Sequence, residues 1–379
     1  MSSLFLKLIQ PFPLKSLSTI NKEELSEVKF QGLKNNLLML IYTQLQKYQD
    51  ENSKNGYIEK FLAEIRPLYF KSVTRSIKQE AIEKDIIFLL QKKDIPAIII
   101  RGNEIAREIY GEPYSRNSTD VDILIKLSDA LSVDSILTDN KYSRNDGLPL
   151  KFWFHRLHHA VYYHPETNDI IEVHWNFGIP SFFRLSSEEI WREVIVTDGD
   201  SLKLTPEMFI IMLLLHHHMH FFRELRILVD ILWALHKYED IIDWHTFALK
   251  LKKISLIKTT QITLNQIQSL WKETAEEMKS VQILQQEIER MGYKVPGFLL
   301  SYFQMDSNKK YHSEIYKDKL IARLTLDKWS TIMLSYFKTL FPVPEAVKEF
   351  YNSKSNWTLP YNYLRFIKWR VREWTGKNS

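Results

Sequence analysis

The sequence predicts an α+β protein in which a small mixed sheet is held between N- and C-terminal helical regions. Three observations carry that prediction. Apolar residues recur at three and four spacing before about residue 93 and again after Thr205, as on one face of a helix. Between them lie short apolar runs bounded by glycine, proline and asparagine, the punctuation of strands and turns. The chain has only 10 glycines in 379 residues, which favours long helices over glycine-rich turns. The expected segments are a helical region over 1–93, an α/β core over 94–200 and a helical domain over 201–379.

Each element follows in order. "NNLLMLIYTQLQKYQ" reads as one amphipathic helix, and a longer helix from about Tyr57 brings Ile77, Ala81, Ile82, Ile86, Phe88, Leu89 and Leu90 to its apolar face. "IPAIIIRG" is a continuous apolar run ending in glycine, hence a buried strand. "NEIAREIYG" is a two-turn helix stopped by Gly111 and Pro113. "STDVDILIK" is a second strand, and "LSDALSVDSILTDN" a helix with Ser128 as its N-cap. "HAVYYHPETNDIIEVHWNF" is a hairpin turning on Pro-Glu-Thr-Asn-Asp. Thr205 as N-cap and Pro206 at the first helical position open a helix expected to run on through "EMFIIMLLLHHHMHFFRELRILVDILWALHK". The remainder, to Ser379, reads as helix with scattered Trp and Tyr.

Composition excludes some chemistry. There is no cysteine, so disulfides, thiolate nucleophiles and thiolate metal sites are ruled out, and a reducing cytoplasm is the simplest setting. The net charge of +5 does not by itself indicate nucleic acid. The opening "MSSLFLKLIQPFPLKS" lacks the apolar run and cleavage site of a signal peptide. The longest apolar run, Met208 to Leu215, falls far short of the roughly 20 residues that span a bilayer. A soluble, cytoplasmic protein is expected.

The chemistry gathers around "RNSTDVDILIK". Side chains two apart on a strand share a face, so Asp120 and Asp122 present paired carboxylates in an apolar segment. Burying them without a counter-charge costs several kcal/mol. Glu172, in "DIIEVHWNF", is a third carboxylate on another expected strand, and His174 shares its face. Three carboxylates on adjacent strands suit one or two hard divalent cations, Mg²⁺ rather than zinc, with Mn²⁺ as a substitute. Upstream, Gly102 lets a phosphate approach the backbone at the strand–helix junction, and Asn103 opens the helix. Arg101 beside it and Arg116 before the aspartates are expected to neutralise phosphate oxygens, Arg116 in bidentate fashion.

Together, "IIIRGNEIAREIY…RNSTDVDILIK…DIIEVHWNF" resembles the DNA polymerase β-like nucleotidyltransferase superfamily. Within it, the match is to an uncharacterised bacterial nucleotidyltransferase family with Arg-x-x-x-Asp-hydrophobic-Asp and Glu/Asp-x-His-Trp signatures. "ELRILVDILWAL" and "LFPVPEAVKEFY" extend the likeness over most of Ile77 to about Trp369. Arg101 stands where that superfamily commonly has lysine, and Asn103 where a small or hydroxyl residue is usual. The resemblance implies a polymerase β-like core and transfer of a nucleoside monophosphate from an NTP such as ATP to an acceptor hydroxyl on a small molecule, sugar or peptide. It implies that Asp120 and Asp122 bind Mg²⁺, and that Glu172 completes the metal site or takes the acceptor's proton. Arg101, Gly102, Asn103 and Arg116 would receive the nucleotide, with His174 as a further contact. The alternatives are a tRNA-modifying nucleotidyltransferase toxin and a catalytically silent nucleotide-binding or scaffold protein.

Other patterns have plainer readings. His216 and His220 share a helix face, but no third ligand is in reach in the sequence, so one histidine is expected at the cleft and the others in packing. Arg226 and Asp230 have the spacing of an intrahelical ion pair. "HRLHH", His155 to His159, reads as a surface turn. The tail alternates Arg365, Lys368, Arg370 and Arg372 with Phe366, Trp369 and Trp374; it suits packing on the core, or contact with RNA or a membrane surface.

Overall fold

The structure, a computed structural model, describes the chain apart from residues 15–16, 18–19, 53–54, 117, 145–149, 155–156, 198–200, 306–314, 342–343, 354 and 375–379. Arg156 of "HRLHH" therefore lies outside the described residues. The N-terminal helices are α1 (Ser3–Leu8), α2 (Lys22–Lys34), α3 (Leu38–Glu51) and α4 (Gly56–Gln91). Asn21 caps α2 in a reciprocal box with Glu24, and Asn55 caps α4 through the amides of Tyr57 and Ile58.

Four strands follow: β1 (Ala97–Ile99), β2 (Val121–Ile125), β3 (His159–Tyr163) and β4 (Ile170–His174). They form one mixed sheet in the order β1-β2-β4-β3. β1 runs antiparallel to β2, β2 parallel to β4, and β3 and β4 make the expected hairpin. Between β1 and β2 lies α5 (Asn103–Ile105), continued by a π-helical turn over Ala106–Tyr110 and ended by Gly111 at φ 74°. Ser128 does not cap the next helix: Leu127–Asp129 is a 3₁₀ turn, and α6 (Ala130–Asp139) starts after it without a side-chain cap. Beyond the sheet come α7 (Ser187–Trp191) and a small ribbon of β5 (Val194–Val196) and β6 (Leu202–Leu204).

Strand alternation sorts the sheet's side chains. Val121, Ile123 and Ile125 of β2 pack with Ile86 and Leu90 of α4 and with Val133 and Leu137 of α6. Leu124 faces the other way, into a large apolar core shared by the N-terminal helices and those beyond the sheet. Asp122 shares the face of Leu124.

The long helix expected after Thr205 is two helices, α8 (Pro206–Met219) and α9 (Leu225–Lys237). The chain turns between them through Phe221 (φ 55°) and Phe222 (φ 58°), both left-handed. The amide of Phe222 bonds the His217 carbonyl, and its ring is fully buried against Phe303. Burying that ring thus turns the backbone where helical periodicity alone would have continued. Helices α10 (Trp244–Lys253), α11 (Ile257–Leu270), α12 (Lys272–Glu277) and α13 (Lys279–Arg290) extend the core. The N-terminal segment docks directly on this part: Trp233 Nε1 donates to the Ile9 carbonyl and Trp271 Nε1 to that of Leu6.

The remaining helices are α14 (Gly297–Tyr302), α15 (Ile315–Arg323), α16 (Trp329–Leu340), α17 (Pro344–Phe350) and α18 (Leu359–Trp374). In α18, Phe366 is buried, and the rings of Phe366 and Trp369 lie 5.4 and 4.7 Å from that of Phe350. Those aromatics pack within the fold. Among the described residues, no helix is long and apolar enough to cross a membrane.

Candidate functional site

The parallel register of β2 and β4 pairs Asp122 with Glu172 and Leu124 with His174. Directly paired residues share a face, so two of the expected carboxylates and the histidine come together. Asp122 is buried. Its Oδ1 accepts from Arg101 Nη1 at 2.8 Å and pairs with His174 Nε2 at 2.9 Å. Glu172 Oε2 lies 3.3 Å from His174 Nε2 and 3.8 Å from Arg101 Nη1.

These distances place Arg101 on the carboxylates. Ile100 donates its amide to the Asp122 carbonyl, so the next residue leaves β1 beside β2, within side-chain reach of Asp122. The guanidinium turns inward onto the carboxylates instead of outward to a phosphate. It is part of the counter-charge that the two aspartates require.

The proton affinities follow from this geometry. Burial would raise the Asp122 pKa, but the charge of Arg101 and the His174 hydrogen bond hold it well below the usual carboxylate range. Burial likewise opposes ionisation of Glu172, and the His174 hydrogen bond outweighs it, lowering its pKa. For His174, burial and Arg101 favour the neutral ring, yet the bonds to Asp122 and Glu172 win and raise its pKa. Asp120 behaves differently. It stands just before β2, takes a hydrogen bond from Ser118 Oγ at 3.0 Å, and has its pKa raised by burial and then by the negative charges of Asp122 and Glu172.

The nucleotide-binding expectations divide. Gly102 adopts φ 65° and ψ −126°, a conformation L-residues avoid, and a Cβ there would stand 3.4 Å from Ser118 Cβ. The turn is thus glycine-dependent. Asn103 does not offer its amide outward: it is buried, and Nδ2 donates to the Ser76 carbonyl at 2.9 Å, tying the turn to α4. Arg116 bonds to a carboxylate outside the sheet, while its charge still reaches Asp122. Its Nε donates to Asp230 Oδ2 at 3.0 Å, and Tyr110 Oη donates to Asp230 Oδ1 at 2.5 Å. Burial alone would lower the Arg116 pKa, but Asp230 raises it and keeps the guanidinium charged. Asp230 thus binds Arg116 directly, and its charge also acts on Arg226, four residues before it.

The α8–α9 turn borders the same face. His216 and His220 meet edge to face at 4.5 Å between ring centroids, and burial, then Arg101 and Arg116, keep His216 neutral. His220 Nδ1 pairs with Glu224 at 2.6 Å, and the Glu224 pKa falls to about 2 because that bond and nearby arginines overcome burial. The other two histidines pack, as expected: His217 pairs with Gln266 and His218 with Thr259 and Thr325. Arg223 binds Asp318 and the Tyr302 carbonyl, a purely internal arrangement.

Two features escaped the sequence reading. His158 and His159 are not in a surface turn; His159 opens β3 directly opposite His174, and its Nε2 lies 3.9 Å from Glu172. The alternation His159-Val161-Tyr163 was the available signal. Glu83 of α4 lies behind the Gly102 turn, its pKa lifted to about 7 chiefly by burial; a lone Glu on a helix carries no sequence signal.

One ligand atom each from Asp122, Glu172 and His174 lie within 4.8 Å of one another, so these three are placed to share a cation. A family model described as an uncharacterised nucleotidyltransferase matches residues 33–272. That span contains the whole sheet and every residue of the site. No curated protein and no solved structure matches the chain.

Proposed function

The chain belongs to this uncharacterised nucleotidyltransferase family, and from that premise we propose that it moves a nucleoside monophosphate from an NTP to an acceptor hydroxyl. The observation that carries the reading is the β2–β4 register, which sets Asp122 beside Glu172, with Asp120 electrostatically coupled to both. In the step, the acceptor oxygen bonds to the α-phosphorus, the bond from that phosphorus to the bridging oxygen breaks, and pyrophosphate leaves with the electron pair. The acceptor's proton goes to a carboxylate. Asp120 suits this role better than Glu172, because its neighbours raise its proton affinity while His174 lowers that of Glu172.

With Asp120 as the base, Asp122 and Glu172 would hold Mg²⁺, and the donor set fits. Both hydrogen bonds to Asp122 fall on Oδ1, and Asp122 and Glu172 each raise the proton affinity of Asp120, the mark of mutually repelling carboxylates. A bound ion supplies charge that offsets the negative charge on the phosphate oxygens. Arg101 and His174 hold Asp122 and Glu172 in place.

One observation favours a second reading, nucleotide binding without turnover. Arg101 already supplies positive charge to Asp122 and Glu172. Labelled NTPs with Mg²⁺, offered small-molecule pools, sugars, peptides and tRNA in separate reactions, distinguish the two. The transfer reading expects pyrophosphate release and a labelled product, with the rate falling roughly 10²–10⁴-fold in Asp120→Asn. Product on tRNA alone would assign the RNA-modifying activity. Nucleotide binding that never releases pyrophosphate supports the silent reading, and Mg²⁺-dependent binding unchanged in Asp122→Ala sinks the site itself.

A further inference from the structure

We propose that His158, His159 and His174 form a nitrogen-ligated site for a transition-metal ion of the Zn²⁺ class, beside the carboxylates but distinct from them. One ring nitrogen of each lies within 4.8 Å of the others. The ring centroids are 4.3 Å apart for His158–His159, 4.9 Å for His159–His174 and 5.7 Å for His158–His174. Three imidazoles bound to one tetrahedral ion at about 2.0–2.1 Å place their ring centres about 5 Å apart. The three rings already hold that spacing.

A second, independent observation points to a ligand. Nδ1 of His158, of His159 and of His174 is buried without a hydrogen-bond partner among the described residues. His158 is 7% exposed and His174 0%, so water does not readily satisfy them. A buried polar atom left unsatisfied costs about 1–3 kcal/mol, and native folds keep such atoms rare. Three in one cluster call for a shared partner, and a metal ion, which displaces a proton from any nitrogen it binds, is a partner that all three rings can share.

The surroundings fit. His174 gives Nε2 to Asp122, which leaves Nδ1 for the ion. A metal-bound histidine whose other nitrogen is held by a carboxylate is the usual supporting arrangement, because the carboxylate fixes the ring and raises its basicity. The backbone is anchored too: β3–β4 pairing sets His159 opposite His174, and the His158 carbonyl accepts from the amides of Trp175 and Asn176. Arg101 is the nearby opposing charge, and Asp122 holds it at 2.8 Å. An all-imidazole set selects zinc-like ions over Mg²⁺, which prefers oxygen. The inferred role is positioning: an ion on Nδ1 would fix His174 as the Nε2–H donor that orients Asp122. Only that role, and not the ion site, rests on the transfer reading.

The test needs no nucleotide. Full-length protein stripped with a chelator is titrated with Co²⁺ and then with competing Zn²⁺, and the visible absorption of the cobalt ion is followed. The expected result is the intense absorption of a four-coordinate, nitrogen-rich cobalt centre that Zn²⁺ displaces. His159→Gln, at a partly exposed position, should weaken binding at least about 100-fold, and Asp122→Asn about 10–100-fold through the supporting bond. Asp120→Asn should stay within about twofold. X-ray absorption at the zinc edge of the wild-type protein gives a check that depends on no variant, with imidazole nitrogens expected in the first shell. An all-oxygen shell, equal Co²⁺ affinity in His159→Gln and wild type, or loss of binding in Asp120→Asn matching that in His159→Gln would each overturn the proposal.

Discussion

Arg116 and Asp230 make the sharpest test of how the site is built. Both side chains are nearly inaccessible, at 4% and 0% exposure, with Nε and Oδ2 3.0 Å apart. Removing one member of such a pair leaves an unpaired buried charge, which costs about 3–5 kcal/mol. Asp230→Ala strips Arg116 of its counter-ion; Arg116→Ala removes the ion pair and leaves Asp230 the Tyr110 hydroxyl and the nearby charge of Arg226. The double variant Arg116→Met/Asp230→Leu replaces both charges by apolar volume, a change that is often neutral or stabilising. The singles should therefore sum to roughly 6–10 kcal/mol and the double should cost far less, a coupling of several kcal/mol. Urea unfolding reads this, with Trp233 as reporter because its ring meets Tyr110 at 5.0 Å. With a slope near 3 kcal/mol/M, each single variant moves the midpoint down by roughly 1–1.7 M. Coupling below about 0.5 kcal/mol would refute the buried pair. A stable Arg116→Lys that loses only nucleotide affinity would restore the phosphate-binding role expected from the sequence.

Three further outcomes follow from the same geometry. The folded-state pKa of His174 is raised, so its contribution to stability is complete below about pH 6.5 and is lost as pH rises through the folded value. The stability gap between wild type and His174→Gln should narrow from pH 6 to pH 9; a constant gap contradicts this. Glu83 has the opposite sense, because an acid raised to about 7 weakens the fold once it must ionise, at a cost growing from about pH 4.5 and levelling above pH 7 at roughly 3 kcal/mol. Glu83→Gln should therefore gain on wild type between pH 5 and pH 8, and equal urea midpoints at both pH values would rule out the buried acid. Gly102→Ala forces a side chain into the conformation at φ 65°, at a cost of about 1–3 kcal/mol. Its nucleotide affinity, measured by fluorescence titration, should fall; unchanged affinity and stability would show that the turn tolerates a Cβ.

The sequence by itself determined what is local. A period of two through "STDVDILIK" and "DIIEVHWNF" placed Asp122, Glu172 and His174 on strands. A glycine after "IPAIIIR" marked the turn at Gly102, and Thr205-Pro206 marked the start of α8. These patterns are legible because backbone geometry repeats over a few residues and each repeat leaves its mark in the chain. Tertiary structure alone decided where the long side chains went. Arg116 finds Asp230 114 residues away, and Asn103 reaches a carbonyl 27 residues back on α4. Arg101 folds onto Asp122 because β1 and β2 are neighbours, and His158 and His159 meet His174 because the hairpin closes. The helix expected from Pro206 onward breaks where Phe222 buries its ring against Phe303. An arginine or histidine takes its partner from whatever charge the fold brings within hydrogen-bond reach, and low internal polarity makes that choice decisive. Sequence spacing carries no record of it.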